Sequence, residues 1–196
     1  MKRDIILAGV GGQGILSIAA IIGTAAVNLG MFLKQAETHG MSQRGGDVTS
    51  NLRISDNEIY SDLIPIGKAD MIISVEPMES LRYLPMLGPD GWLITNTKPY
   101  INIGNYPEMH EIMAEVESIN NHIALDADAI ARDLGSGKCA NVVILGAASP
   151  FLGVSFEELQ EAIKAIFQRK GDDIISMNLA ALNAGHEFAL SQIKDH

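Results

Sequence analysis

Cysteine is almost missing from this chain: its 196 residues include one, Cys139. A lone thiol makes no internal disulfide, and an iron–sulfur cluster takes about four thiolates, so the chain by itself holds no such cluster. Cys139 stands beside an apolar run and reads as a buried structural thiol. Basic residues are scarce as well. Lys and Arg number 14 against 24 Asp and Glu, for a net charge of −10. No Lys/Arg cluster forms the stripe that a free-standing nucleic-acid binder needs. Long hydrophobic runs are lacking too. The most apolar segment, Ile15 to Val27, covers 13 residues and is interrupted by Ser17, Gly23 and Thr24. A membrane helix needs about 20. The opening Met-Lys-Arg-Asp leads into a stretch broken at Asp4 and Gly9, which is not the pattern of a signal peptide. A cytoplasmic protein with no membrane segment is the expectation.

Familiar catalytic signatures are also missing. No G-x-S-x-G nucleophile elbow occurs. His110 and His122 have no metal-ligand spacing, so no metal site is expected, and His186 falls inside a helical pattern. Gly135-Ser136-Gly137-Lys138 suggests a phosphate loop, but Cys139 follows in place of Ser or Thr, and the earlier glycine position, 132, is Arg.

What is present is an alternation of strand and helix patterns without repeats, low-complexity segments or a dividing linker. With 47% hydrophobic residues, a chain of this length buries roughly 70% of its unfolded surface. Residues 4–8 read as a strand covered on both faces, and 13–29 as a helix stopped by Gly30. Residues 31–36 make a second strand. Residues 38–46 are polar, glycine-rich and without period. Residues 47–54 alternate as a half-buried strand, with Val48, Leu52 and Ile54 inward, and Ile59 to Leu63 are expected to return as its hairpin partner. Further strands are expected at 70–75, 92–95 and 122–125. Helices are expected from Pro77 to Leu84, from Pro107 through Val116, and from the Asp126 cap to Gly135. Residues 141–149 favour helix, Ser155 and Glu158 form a capping box, and a last helix runs from Asp172 or Asp173 to about Lys194. The sum is an α/β fold: one three-layer α/β/α domain over 1–196 with a mixed, mostly parallel sheet.

Chemistry concentrates in three places. Gly9-Val10-Gly11-Gly12-Gln13-Gly14 lies between the first strand and the first helix, and Gly9, Gly11 and Gly14 fit the G-x-G-x-x-G spacing. Free N–H groups at a helix start, aided by a dipole worth roughly 0.3–1 kcal/mol, suit a phosphate. A tight turn without ligand is the plain alternative. Glu37, at the end of the second strand, meets the position of the ribose-binding acid of a dinucleotide fold. In the second place, Arg44 sits among polar and glycine residues with His39, Ser42 and Gln43, free to reach an anion or simply solvated. Third, Glu76 follows a buried strand at the carboxyl edge where α/β sheets bind ligands. It serves equally as a helix-start carboxylate. Asn96 lies at the same edge.

The turn at 9–14, together with Thr38-His39-Gly40-Met41-Ser42-Gln43-Arg44-Gly45-Gly46, resembles the γ-type component of the 2-oxoacid:ferredoxin oxidoreductases, and within it the β subunit of indolepyruvate ferredoxin oxidoreductase. The resemblance continues through Ser74-Val75-Glu76-Pro77-Met78-Glu79 and Asn141-Val142-Val143-Ile144-Leu145-Gly146 to Asn178 and Gly185, essentially the whole chain. It implies oxidative decarboxylation of a 2-oxoacid to an acyl-CoA, with electrons passed to ferredoxin. With no G-D-G…N-N signature and no cluster cysteines here, thiamine diphosphate and the iron–sulfur clusters are expected on a large partner subunit. Coenzyme A is the candidate ligand of Gly9, Gly11, Gly12, Gln13 and Gly14, with Arg44 and Glu76 nearby. The chain alone is expected to be inactive, and pairing of two copies is a further arrangement open to it. A stand-alone NAD-dependent oxidoreductase and a non-catalytic assembly module are the competing readings.

Overall fold

A computed structural model describes residues 1–40 and 45–194. Its frame is a 6-stranded sheet in the order β2-β3-β1-β4-β5-β6. The strands are β1 (Lys2–Val10), β2 (Phe32–His39), β3 (Asp47–Ser55), β4 (Ala69–Ser74), β5 (Leu87–Asn96) and β6 (His122–Leu125). β1, β4, β5 and β6 are mutually parallel, whereas β3 runs antiparallel to both β1 and β2. The helices are α1 (Ile15–Asn28), α2 (Pro77–Arg82), α3 (Met109–Glu117), α4 (Ala127–Asp133), α5 (Ala140–Ala148), α6 (Phe156–Phe167) and α7 (Asp172–Lys194).

The two faces of the sheet carry unequal layers. Ile5, Leu7, Leu52, Ile54, Met71 and Ile73 face a large apolar core built with α1, α4, α5, α6 and α7. Ile6, Ile72 and Leu93 point the other way, into a small core closed by Ile64, Val116 of α3 and Leu81 of α2. The alternation of odd and even residues along β1 between these cores is the period-2 pleat, and both faces being covered explains why the strand reads as an unbroken apolar run.

Local chemistry sets the helix ends. Beyond α1, Gly30 has φ 74; its N–H bonds Val27 O at 2.9 Å, and Met31 N–H bonds Ala26 O at 3.0 Å. That is a Schellman closure. Gly135 ends α4 the same way. Ser155 Oγ accepts from Glu158 N–H at 3.2 Å, as the capping box predicts. α5 and α7 meet through glycine: a Cβ on Gly185 would fall 1.9 Å from Val143 O, and one on Gly146 2.1 Å from Leu182 O. Each backbone lies directly on the other helix.

Several expectations are corrected. Ile59 to Leu63 form no strand. β3 already has a neighbour on each side, so a third partner has no free edge to join. β3 is also buried on both faces rather than one. Its polar side lies under the 59–64 segment, where Arg53 Nη1 donates to Ser61 O and Leu63 O at 3.0 Å each and Asn51 Oδ1 accepts from Ile64 N–H at 3.1 Å. Thr38 and His39 belong to β2, held by pairing with Thr49 and Val48. α3 starts at Met109 with Glu108 at its N-cap, two residues after Pro107.

Candidate functional site at the carboxyl rim of the sheet

The carboxyl ends of β1, β4, β5 and β6 and the β2–β3 hairpin gather on one rim. At its centre is the turn after β1. Gly12 and Gly14 take φ 99 and φ 84, the left-handed conformation that only glycine adopts freely. The turn is closed from within: Gln13 N–H bonds Val10 O at 3.1 Å, and Gln13 Oε1 returns to accept from Val10 N–H at 2.8 Å. Gln13 is therefore a brace of the turn. Gly9 has a packing role, since a Cβ there would meet Val75 Cγ2 at 2.4 Å. Gly12 is different: among the described residues no heavy atom lies within 4 Å of where its Cβ would be.

The helix that follows begins without a side-chain cap. Gly14, at the α1 N-cap, brings no side-chain acceptor, and the first turn holds no acidic residue. Ser17 N–H bonds Gly14 O at 3.0 Å, whereas the N–H groups of Ile15 and Leu16 have no backbone partner among the described residues, as the first N–H groups of a helix generally do not. Gly14 O is fixed from the far side by Asn141 Nδ2 at 3.1 Å.

Cavities flank this turn. One of about 380 Å³ is lined by Gly12, Gln13, Asn96, Tyr100, Asp128 and Lys138. A second, about 420 Å³, is lined by Gly12, Gly14, Ser17, Lys138, Lys170 and Asn178. A third, about 260 Å³, is bounded by Gly11, Gly12, Leu16, His39 and Val48. Lys138 borders the first two and supplies a cation beside the helix start. It belongs to the Gly135–Lys138 sequence that fails as a phosphate loop of its own. The fold nevertheless carries it to the glycine turn, which no local motif reveals. Lys170 and Asn141 reach the site in the same way, from distant segments. Cys139 borders the second cavity but is buried. Its thiol donates to Ser136 O at 3.0 Å, and burial pushes its pKa up, so it stays a neutral thiol.

Two more loops close on the turn. Gly46 O accepts from Gly11 N–H at 2.9 Å, and Asn102 Nδ2 donates to Gly45 O at 2.7 Å. Thus the glycine turn, the end of the 38–46 segment and the loop over 97–106 are stitched together. Met41, Ser42, Gln43 and Arg44 lie outside the described residues. Glu76 lies beneath these loops, fully buried, and lines none of the three cavities. It caps α2, with Oε2 accepting from Glu79 N–H at 2.8 Å, while Oε1 accepts from Tyr100 N–H at 3.2 Å and from Tyr106 Oη. Asn96, also buried, donates to Val75 O at 3.3 Å and Asp128 Oδ2 at 2.8 Å and accepts from Ala127 N–H at 3.1 Å.

Glu37 does not take the ribose-binding place of a dinucleotide fold. The reversed β3 separates β2 from β1, so Glu37 stands two strand spacings from the glycine turn, about 10 Å rather than 5 Å. Its carboxylate pairs with His39. Among the described residues no group of three His, Cys, Asp or Glu side chains could hold a metal ion, and no helix is long and apolar enough to cross a membrane.

This arrangement is that of a γ-type oxidoreductase component. The gamma subunit of a keto/oxoacid ferredoxin oxidoreductase from Geobacter sulfurreducens superposes with TM-score 0.70 at 26% identity, over 96% of this chain and 99% of that one. The fold also matches part of a 2-oxoglutarate:ferredoxin oxidoreductase chain from Magnetococcus marinus, solved with 2-oxoglutarate, coenzyme A and succinyl-CoA bound, with TM-score 0.76 at 22% identity. There it covers 97% of this chain and 31% of the longer one. The chain belongs to the pyruvate ferredoxin/flavodoxin oxidoreductase family, whose model matches residues 4–188. Among its relatives, indolepyruvate oxidoreductase subunit IorB of Archaeoglobus fulgidus is 38% identical over 97% of both chains. The IorB of Methanothermobacter thermautotrophicus is 34% identical over 94% of this chain and 96% of its own. The protein is thus an oxidoreductase subunit, and the stand-alone NAD enzyme is not favoured.

Proposed function

We propose that this chain is the small, cluster-free subunit of a cytoplasmic indolepyruvate or aryl-pyruvate ferredoxin oxidoreductase, a single γ-type domain over 1–196. The observation that carries this is the near full-length likeness to the IorB subunits at 34–38% identity. With one cysteine in the chain, iron–sulfur clusters do not fit here. They belong with thiamine diphosphate on a large partner subunit, where the 2-oxoacid is decarboxylated and electrons leave for ferredoxin.

Coenzyme A does fit the rim. Its phosphates would lie over Gly12, against the leading N–H groups of α1, with Lys138 and Lys170 balancing their charge. Gln13 and Asn141 hold the turn in shape, and Gly9 and Gly14 let it pack. Arg44, outside the described residues, is a candidate for the same anion by its residue type and its place in the 38–46 segment, and Glu76 supports the loops from below. When bound, coenzyme A supplies the thiol that accepts the acyl group; this chain binds and orients its anionic end and covers the approach from water.

Reconstitution with the large subunit tests the reading. Ferredoxin reduction should need both subunits, coenzyme A and an aryl pyruvate, with pyruvate and 2-oxoglutarate the poorer substrates. Preference for either of those, or tight NAD binding by the isolated chain, would overturn it. Arg44→Ala in the complex should raise the KM for coenzyme A, and unchanged affinity for both coenzyme A and 2-oxoacid would remove Arg44 from the site. Sizing the small subunit alone shows whether two copies pair in the absence of the large one.

A further inference from the structure

Glu76 is unusual among the buried groups of this chain. Its carboxylate is fully enclosed, yet no Lys, Arg or His among the described residues forms a salt bridge with it. Burying a carboxylate without a cation is unfavourable unless hydrogen bonds replace its water. Helix capping alone does not call for that cost, because Asp126 and Ser155 cap α4 and α6 from exposed positions.

The partners of Glu76 show what else the carboxylate does. One oxygen holds the start of α2 through Glu79 N–H. The other takes two donors from the loop after β5, the Tyr100 N–H and the Tyr106 hydroxyl. Those contacts bracket residues 100–106 and fix both ends of the span. Between them, Asn102 reaches Gly45 O, and Tyr100 forms a wall of the cavity beside Gly12 and Lys138. At the entry to the loop, Asn96 Oδ1 accepts from Lys98 N–H at 3.3 Å. The loop has no helix or strand of its own, so its course depends on these anchors. It leaves Tyr100, Ile101 and Ile103 exposed at its outer side.

We infer that Glu76 is a positioning residue: its buried carboxylate straps the 97–106 loop beside the glycine turn and so builds the Tyr100 wall of the ligand cavity. This rests on the proposed function for the identity of the ligand, while the strap itself rests on the hydrogen bonds alone. The carboxylate lines none of the three cavities around the glycine turn, so its effect on a ligand passes through Tyr100 and, by way of Asn102, through Gly45 and Gly46 to Gly11. Tyr106 is suited to the task. Burial and the Glu76 carboxylate hold its pKa above the ordinary tyrosine value, so it remains a donor.

The test uses the assembled complex and compares wild type with Glu76→Ala, Glu76→Gln and Tyr106→Phe. Backbone hydrogen exchange at residues 100–106 should rise about tenfold or more in Glu76→Ala and less in Tyr106→Phe, which removes one of the two anchors. The KM for coenzyme A should rise about tenfold in Glu76→Ala while kcat changes less than about twofold. Glu76→Gln, which keeps an acceptor oxygen, should recover part of both effects. Unchanged exchange at 100–106 in the two Glu76 variants, or unchanged KM with a lowered melting temperature, would overturn the inference. Should Glu76→Ala not fold, Tyr106→Phe decides by the same exchange readout. Coenzyme A independence of the wild-type complex would sink the proposed function but leave the exchange result, and with it the strap, standing.

Discussion

Arg53 and Asp4 stand directly opposite one another on β3 and β1 and join by two hydrogen bonds, Nε to Oδ1 at 2.7 Å and Nη2 to Oδ2 at 3.0 Å. Both are buried. The remaining guanidinium nitrogen holds the 59–64 segment by its carbonyls. Removing the carboxylate with Asp4→Ala leaves a buried, unpaired charge and should cost about 3–5 kcal/mol in chemical denaturation. Arg53→Lys, which cannot reproduce the fork, should cost less. A loss under about 1 kcal/mol for Asp4→Ala, the range of exposed pairs, would show that water reaches this fork.

The helix pair α5 and α7 predicts a sharp contrast between glycines. Gly185→Ala drives a methyl into Val143 O, and because the obstacle is backbone, it should cost at least the 1–3 kcal/mol or so typical of overpacking. Gly104→Ala meets nothing within 4 Å among the described residues and should stay within about 0.5 kcal/mol of wild type. Equal melting temperatures for the two variants would contradict the close helix crossing.

Within the glycine turn, stability and binding should separate. Gly9→Ala collides with Val75 and should lower the melting temperature strongly. Gly12→Ala meets no described residue within 4 Å but carries φ 99, a strain of about 1–2 kcal/mol. It should fold, and its main effect should be weaker coenzyme A binding by the complex, read by isothermal titration. Full affinity in Gly12→Ala would move the ligand away from this turn.

Tyr106 makes the fold sensitive to alkali. Its folded pKa is raised above the ordinary 10.0 by burial first and then by its bond to Glu76. The unfolded chain therefore releases this proton earlier. The stabilising contribution is complete below about pH 10 and is lost as pH rises from there through the folded value, by up to about 1.4 kcal/mol per pH unit. Tyr83, whose pKa burial also raises, adds to the slope. Urea midpoints at about pH 8 and about pH 11 should fall further apart in wild type than in Tyr106→Phe; equal drops would mean that Tyr106 titrates as a free side chain.

Much of this architecture can be read in the chain because its punctuation is local. Gly30 and Gly135 stop helices by left-handed backbone, Ser155 with Glu158 and Asp126 start them, and the unbroken apolar run of β1 announces a strand with both faces covered. What could not be read is pairing. The 2-residue period of 47–54 shows a strand but not that β1 and β2 take both its edges, so the sequence alone offers one of them to Ile59–Leu63. Nor does periodicity tell that the polar face of β3 is buried, because Arg53 is reconciled with the interior only by Asp4, far away in sequence. The site divides the same way. Gly12 and its helix start are legible as an anion-receptive turn. Lys138, Asn141 and Lys170 are not, since only the packing of α5 and α7 brings them there. Glu76 is legible as a helix-start carboxylate, which it is; its second hold, on the loop that borders the cavity, is not, because Tyr100 and Tyr106 come from a distant segment.

The rim has one further consequence. Its surface is assembled from the glycine turn, Gly45 and Gly46 ahead of β3, the 97–106 loop and the approach to α5, four pieces that are far apart in sequence and meet only because the strands beneath them end at one level. Gly11 and Gly46 are bonded neighbours with 34 residues of chain between them. A linear peptide cut from this sequence therefore carries one of these pieces without the others, and the surface exists only in the folded domain.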